Sequence, residues 1–252
     1  MKTLSIITII WCFFIQNAQA ALALDRTRII FPEKSKLETI RVKNPSNLPY
    51  LSQAWITNDE GTQIMEPFMV VPPLIRIESQ DYALLRIEKT GMTQSLPLDR
   101  ESLFYFHVRE VPPKDQNKEQ TNKKLVGDTG GSIQFAIESV IKMFYRPDQL
   151  SSIANIDLAI SKGTKITKKD NQVWIENNSP FYATYFSITD NHKKKIKGLD
   201  SMMLKPYSRK KISLLIKGNY YITHINDYGA LITNLYQCDN EMCQFSEKMK
   251  QE

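Results

Sequence analysis

The 252-residue chain has only three cysteines and three histidines. A zinc site needs clustered thiolate, imidazole or carboxylate ligands. His107, His192 and His224 are the only histidines, and no ligand cluster forms along the sequence. No metal or other cofactor is therefore expected. No apolar run reaches the roughly 20 residues needed to span a bilayer, so the protein is not expected to be membrane-embedded. None of Ser46, Ser52, Ser102 and Ser132 lies in a G-x-S-x-G setting, so a serine hydrolase finds no nucleophile elbow. No catalytic residue can be named. The formal charge is +6, but basic residues are scattered apart from Lys193–Lys195 and Arg209–Lys211. Such short runs read as solvated faces rather than a nucleic-acid footprint. No long segment sustains a 3.6-residue apolar period, so helix content should be low.

What is present begins with a secretion signal. Lys2 precedes an apolar run from Leu4 to Ile15, and Ala18-Gln19-Ala20 is an A-x-A cleavage site. Residues 1–20 are read as a signal peptide, and the mature chain should start at Ala21. Cys12 leaves with the signal. Cys238 and Cys243 then form either one disulfide or two thiols, and an oxidising compartment favours the bridge.

The remainder is strand-like. Thr39–Lys43 alternates and stops at Asn44-Pro45; Tyr50–Thr57 stops at Asn58-Asp59-Glu60-Gly61; Tyr82–Glu88 alternates again. Leu103–Val111, Val173–Ile175, Phe181–Thr189, Lys211–Ile216, Ile222–Ile225 and Leu231–Cys238 behave alike. Many short strands separated by Asn, Gly, Asp and Pro are the pattern of an all-β sandwich or barrel. Pro147–Asn155 shows no pattern and is read as a domain boundary. This divides the chain into 21–147 and 148–252, each with room for about seven strands, an immunoglobulin-like sandwich count.

Lys114–Gly131 is polar and charged, and is expected to be a mobile loop. After it, Ile133, Phe135, Ile137, Ser139 and Ile141 fall on one face of a strand, with Gln134, Ala136, Glu138, Val140 and Lys142 on the other. Alternation fits an ordinary core strand. It equally fits an edge strand offered to a partner, with backbone hydrogen bonds along the edge and apolar side chains filling pockets.

Several blocks, taken in order, resemble the periplasmic pilus-assembly chaperones of the chaperone–usher pathway. They are Leu24-Asp25-Arg26-Thr27-Arg28, Leu48–Ile56, Pro72-Pro73, Asp99–Phe106, Arg109–Pro113 and Ile141-Lys142-Met143-Phe144-Tyr145-Arg146-Pro147. Asn177–Tyr182 and Ile225-Asn226-Asp227-Tyr228-Gly229 continue the likeness in the second half. The resemblance implies two immunoglobulin-like β-sandwich domains set at an angle with a cleft between them. It implies pilus subunits and an outer-membrane usher as partners, and the periplasm as location. Arg28 and Lys142 correspond to the pair that anchors a subunit's C-terminal carboxylate, although the residues alone leave Arg26 and Arg28 equivalent. Ile133, Phe135, Ile137 and Ile141 correspond to the strand that fills a subunit's groove. Glu101, Arg146 and Asp227 correspond to an interdomain charge cluster of structural purpose, and Cys238–Cys243 to a second-domain disulfide of some members. The loop at 114–131 is long for the short-loop branch. An exposed apolar edge would also incline the free form to self-associate.

Two rival readings differ in what they need. An enzyme could use Glu101 and Asp227 as an acid–base pair, but Arg146 should neutralise both. A structural module, such as a pilus subunit or adhesin, would usually be one incomplete domain and would polymerise.

Overall fold

The computed structural model describes residues 22–113, 136–199 and 201–248. The signal segment 1–20, the expected loop 114–131 and the side chains of Ile133 and Phe135 lie outside the described residues.

The first half makes two sheets. One carries, in spatial order, β1 (Ala23–Leu24), β3 (Leu37–Lys43), β8 (Tyr82–Lys89) and β6 (Phe68–Val71). The other carries β2 (Arg28–Pro32), β10 (Glu138–Arg146), β9 (Ser102–Val111), β4 (Tyr50–Asn58) and β5 (Gln63–Ile64), with β7 (Leu74–Ile77) also paired to β4. Alternation produces the layers. Ile40 and Val42 of β3 and Ala83, Leu85 and Ile87 of β8 are buried against Ala54, Ile56, Phe106, Val108, Met143 and Tyr145 of the facing sheet. Phe68 sits among Phe31, Phe104 and Tyr145, with ring centroids 4.8, 5.0 and 5.7 Å away. Each such side chain contributes roughly 1.5–3 kcal/mol relative to exposure.

The second half encloses a separate core that includes Ile166, Ile175, Tyr185, Ile188, Ile222 and Tyr236. It follows a three-ten turn, Asp148–Ser152, and a helix α1 (Ile156–Gly163) capped by the Asn155 side chain, which accepts from the Leu158 N–H at 2.8 Å. Its strands are β11 (Thr164–Lys169), β12 (Gln172–Asn177), β13 (Ala183–Asp190), β14 (Met202–Leu204), β15 (Ser208–Ile212), β16 (Tyr220–Ile225), β17 (Leu231–Cys238) and β18 (Met242–Lys248). Pairing of β11 with β18 joins the two layers into one ladder, β14-β13-β16-β17-β18-β11-β12-β15. Cys238 and Cys243 face each other across β17 and β18 and form a disulfide.

Both halves use the same turn device. The fully buried Asn44 donates to the carbonyls of Leu48, Ile77 and Glu78 and accepts from Ser46. Asn177, equally buried, donates to the carbonyls of Phe181 and Lys205 and accepts from Ser179. A buried amide with every lone pair and hydrogen used can fix a loop where no strand ladder reaches. Among the described residues, no helix is long and apolar enough to cross a membrane.

Candidate functional site

Strand β10 serves two neighbours because its side chains alternate. Met143 and Tyr145 enter the first core, whereas Lys142, Phe144 and Arg146 take the opposite face. On that face Phe144, 3% exposed, packs against Tyr182 of the second domain with centroids 5.5 Å apart.

Arg146 is the hub between the halves. Its Nε and Nη2 donate to Glu101 Oε1 at 2.9 and 2.7 Å. Its Nη1 and Nη2 donate to Asp227 Oδ2 and Oδ1 at 2.8 and 3.0 Å. Glu101 Oε2 accepts from the Tyr182 N–H at 2.9 Å, and the Glu101 N–H donates to the Pro180 carbonyl at 3.0 Å. Burial pushes the Glu101 carboxyl above its usual range, opposed by Arg146 and by the Tyr182 N–H. Burial alone would lower Arg146, but Asp227 and Glu101 outweigh it and hold the guanidinium above its ordinary value. Lys205 pairs with Asp59, and the Arg100 guanidinium lies 5.0 Å over the Tyr207 ring, two further links across the interface. The structure thus joins Glu101, Arg146 and Asp227 in one cluster. The sequence reading missed Phe144–Tyr182, Lys205–Asp59 and Arg100–Tyr207. Phe144 carried a usable signal: an aromatic between Lys142 and Arg146 on the non-core face needs a second surface to cover it.

Arg28 and Lys142 meet where β2 begins. β2 runs parallel to β10, and the first residues in register are Arg28 and Lys142. Arg28 is 9% exposed; its Nη1 donates to the Ile225 carbonyl at 3.2 Å, while its buried Nε has no hydrogen-bond partner among the described residues. Burial lowers the Arg28 pKa, against the pull of Asp227 and Glu101. Burial also lowers Lys142, and the Arg28 charge lowers it further. Arg26 differs. It precedes the strand and is held by its neighbour Asp25 at 3.0 Å, with 40% of its side chain exposed. A cavity of about 530 Å³ opens beside Arg28, walled by Arg26, Thr27, Ile30, Arg146, Asp227 and Tyr228. Two partly desolvated cations at one end of a cleft make a place for an anion.

The edge of β10 opens at the same point. β2 covers it only from Lys142 to Arg146, while β9 pairs along Glu138–Tyr145 on the other side. The outer side of Glu138–Ile141 therefore has no strand neighbour among the described residues. Ile137 is 43% exposed and Val140 49%. Ile141 is half-buried and packs against the first core, so of the four proposed groove-filling side chains Ile137 is the one described as free-standing. Among the described residues no group of three or more His, Cys, Asp or Glu side chains is placed to hold a metal.

Comparison with known proteins gives a consistent set. A family profile described as the pili and flagellar-assembly chaperone, PapD N-terminal domain, matches residues 21–151. The pili assembly chaperone PapD C-terminal domain matches residues 159–236. The chaperone protein PapD of Escherichia coli is 32% identical over 240 residues, covering 94% of both chains. The periplasmic chaperone SfaE superposes with a TM-score of 0.64 at 30% identity, over 83% of this chain and 95% of its own. The SafB chaperone of Salmonella enterica, solved in complex with the SafA pilin, gives a TM-score of 0.72 at 25% identity, over 88% of this chain and 99% of its own.

Proposed function

This chain belongs to the pili assembly chaperone family, and from that premise we propose that it captures pilus subunits by lending them a strand. The observation that carries the reading is the register of Arg28 with Lys142 at the point where the edge of β10 becomes open. A chain end whose carboxylate sits between these cations can extend only along Glu138–Ile141, the lane that β2 leaves empty. That strand runs in the direction of β10 and stops where β2 starts. Backbone hydrogen bonds along the edge supply affinity, and Ile133, Phe135 and Ile137 fill the subunit's groove, while Ile141, packed against the first core, ends the stripe. Fixing the carboxylate sets which residue of the subunit lies opposite which residue of β10.

The remaining parts of the reading follow from it. Residues 1–20 direct export to the periplasm, residues 21–147 form the subunit-binding domain, and residues 148–252 form the second. The subunit is handed to an outer-membrane usher and leaves when another strand displaces β10. The work is binding rather than catalysis, with no cofactor. Before capture, self-association covers the apolar edge. Glu101, Arg146 and Asp227 hold the cleft at a fixed angle.

The test is a periplasmic pull-down of tagged protein, wild type beside Lys142→Ala and Arg28→Ala, with mass identification of what travels with each. Truncating one partner of a partly buried charge pair costs about 2–5 kcal/mol, so the variants should lose the subunit by at least about 30-fold. Retention of small pilin-like subunits by folded double mutant at wild-type level would refute the carboxylate anchor. Absence of any such subunit from the wild type, even with subunits co-expressed, would remove the function.

A further inference from the structure

Glu138 is the first residue of β10 and shares a face with Lys142 four positions on. The segment between them is the open edge, and a strand with one neighbour frays from its end. β2 steadies β10 only from Lys142 onward. At the near end the ladder to β9 is the only backbone support among the described residues, the Glu110 N–H donating to the Ile137 carbonyl at 3.0 Å, and side chains from three strands converge there to add to it.

Glu138 stands in register with Arg109 of β9. Its Oε2 accepts from Arg109 Nη2 at 2.8 Å and Nε at 3.2 Å, and its Oε1 lies 2.8 Å from His107 Nδ1. The other His107 nitrogen, Nε2, is 3.0 Å from Thr57 Oγ1 of β4. The imidazole stacks on Trp55 at 5.0 Å and 12°, and the Arg109 guanidinium lies 5.0 Å over the same indole. Hydrogen bonds from His107 and then Arg109 hold the Glu138 carboxyl below its usual range. A forked, doubly bonded carboxylate on a stacked platform is a directional hold rather than a loose surface pair.

We infer that Glu138, gripped by His107 and Arg109, is a positioning residue that fixes the near end of the open edge and presents Glu138–Ile141 already extended to the incoming subunit strand. The inference rests on the strand-lending reading above. The grip and the Arg28–Lys142 pair then bracket a template of about 13 Å, four residues at the usual strand rise. Ordering this edge beforehand removes part of the entropy that binding would otherwise cost.

The test uses the full mature chain and a synthetic peptide of alternating apolar residues with a free C-terminal carboxylate, beside its amidated twin. Glu138→Ala should bind the free-acid peptide about tenfold more weakly, ~1.4 kcal/mol. Amide exchange at Ser139 and Ile141, whose N–H groups face β9 by the alternation of the ladder, should quicken while Phe144 to Arg146 keep their protection. Glu138→Gln, which retains an acceptor oxygen, should recover part of both effects, and Arg109→Lys, which keeps charge but loses the fork, should reproduce part of the loss. The melting temperature should fall by no more than about 4 °C, since the grip is surface-facing. The preference for free acid over amide belongs to Arg28 and Lys142 and should survive Glu138→Ala; its absence in the wild type would count against the anchor and not the grip. Wild-type peptide affinity and wild-type exchange in Glu138→Ala would overturn the inference.

Discussion

Replacing Arg146 by alanine isolates the physics of the interdomain hub. The change removes four donor contacts of 2.7–3.0 Å and leaves Glu101 with its side chain only 2% exposed. Asp227 is 28% exposed and can turn to water, so the loss concentrates on Glu101. Breaking a buried pair by removing one partner costs about 3–5 kcal/mol. The Tyr182 N–H remains as a partner for Glu101 and should keep the cost toward the lower end of that range. Burial already raises the Glu101 carboxyl, and Arg146 opposes the rise; without it, the folded-state value climbs further. A raised folded-state pKa means that the native state binds the proton more tightly than the unfolded chain. The penalty of Arg146→Ala should therefore be full at neutral and alkaline pH. It should shrink as pH falls through the raised value toward the ordinary carboxylate range. Urea unfolding of wild type and variant from pH 4 to pH 8 measures this directly. The double variant Arg146→Met with Glu101→Gln should recover much of the loss at pH 7. A penalty below about 1 kcal/mol at pH 7, or one that does not change with pH, would refute the buried-hub account.

Other perturbations address the cleft and the second domain. Lys142 is lowered by burial and by Arg28 in the free protein, and a bound carboxylate would raise it again. Capture should be strongest below the free-state value and weaken with proton uptake as pH rises through it toward the bound-state value; calorimetry in buffers of differing ionisation enthalpy reads that uptake, and pH-independent binding up to the ordinary lysine range would contradict it. Gly229 has φ +83°, and an added Cβ would lie 2.7 Å from Thr27 Oγ1, next to Arg28. Gly229→Ala should cost at least about 1–2 kcal/mol from the left-handed backbone alone and should weaken peptide capture by shifting the Arg28 segment; wild-type capture would show that the Thr27 contact yields freely, and wild-type stability would refute the backbone cost. Opening the Cys238–Cys243 bridge with a double serine variant should destabilise the second domain by about 2 kcal/mol, visible as a lower melting transition, with the peptide site of the first domain unaffected.

Strand content, the two-domain arrangement and the family were all legible before any coordinates. Local chemistry accounts for this. Alternation in Thr39–Lys43 and Tyr82–Glu88 commits Ile40, Val42, Leu85 and Ile87 to one side, and Asn, Pro and Gly end each run. The buried turn asparagines, Asn44 and Asn177, were visible only as turn residues, because besides their local partners each also holds a distant carbonyl, that of Ile77 33 residues away and that of Lys205 28 residues away. The helix α1 also went unread: its eight residues bury only Ile160 and Ser161, too short a stretch to show a period.

The site divides along the same line. By residue pattern, Arg26 and Arg28 were interchangeable and only family likeness separated them. What differs between them is tertiary: Arg28 opens β2 opposite Lys142 and donates to Ile225, 197 residues away in sequence, while Arg26 lies outside the strand beside Asp25. An edge is likewise a property of neighbours. Alternation from Ile133 onward could not say whether β10 was covered, because coverage depends on where a distant strand starts. The amino-acid order by itself determined which side chains could share a face, since that needs only the two-residue period of a strand. Only the folded structure decided which faces meet, where β2 leaves β10 open and which charges are deprived of water, because each of these depends on residues brought together from across the chain.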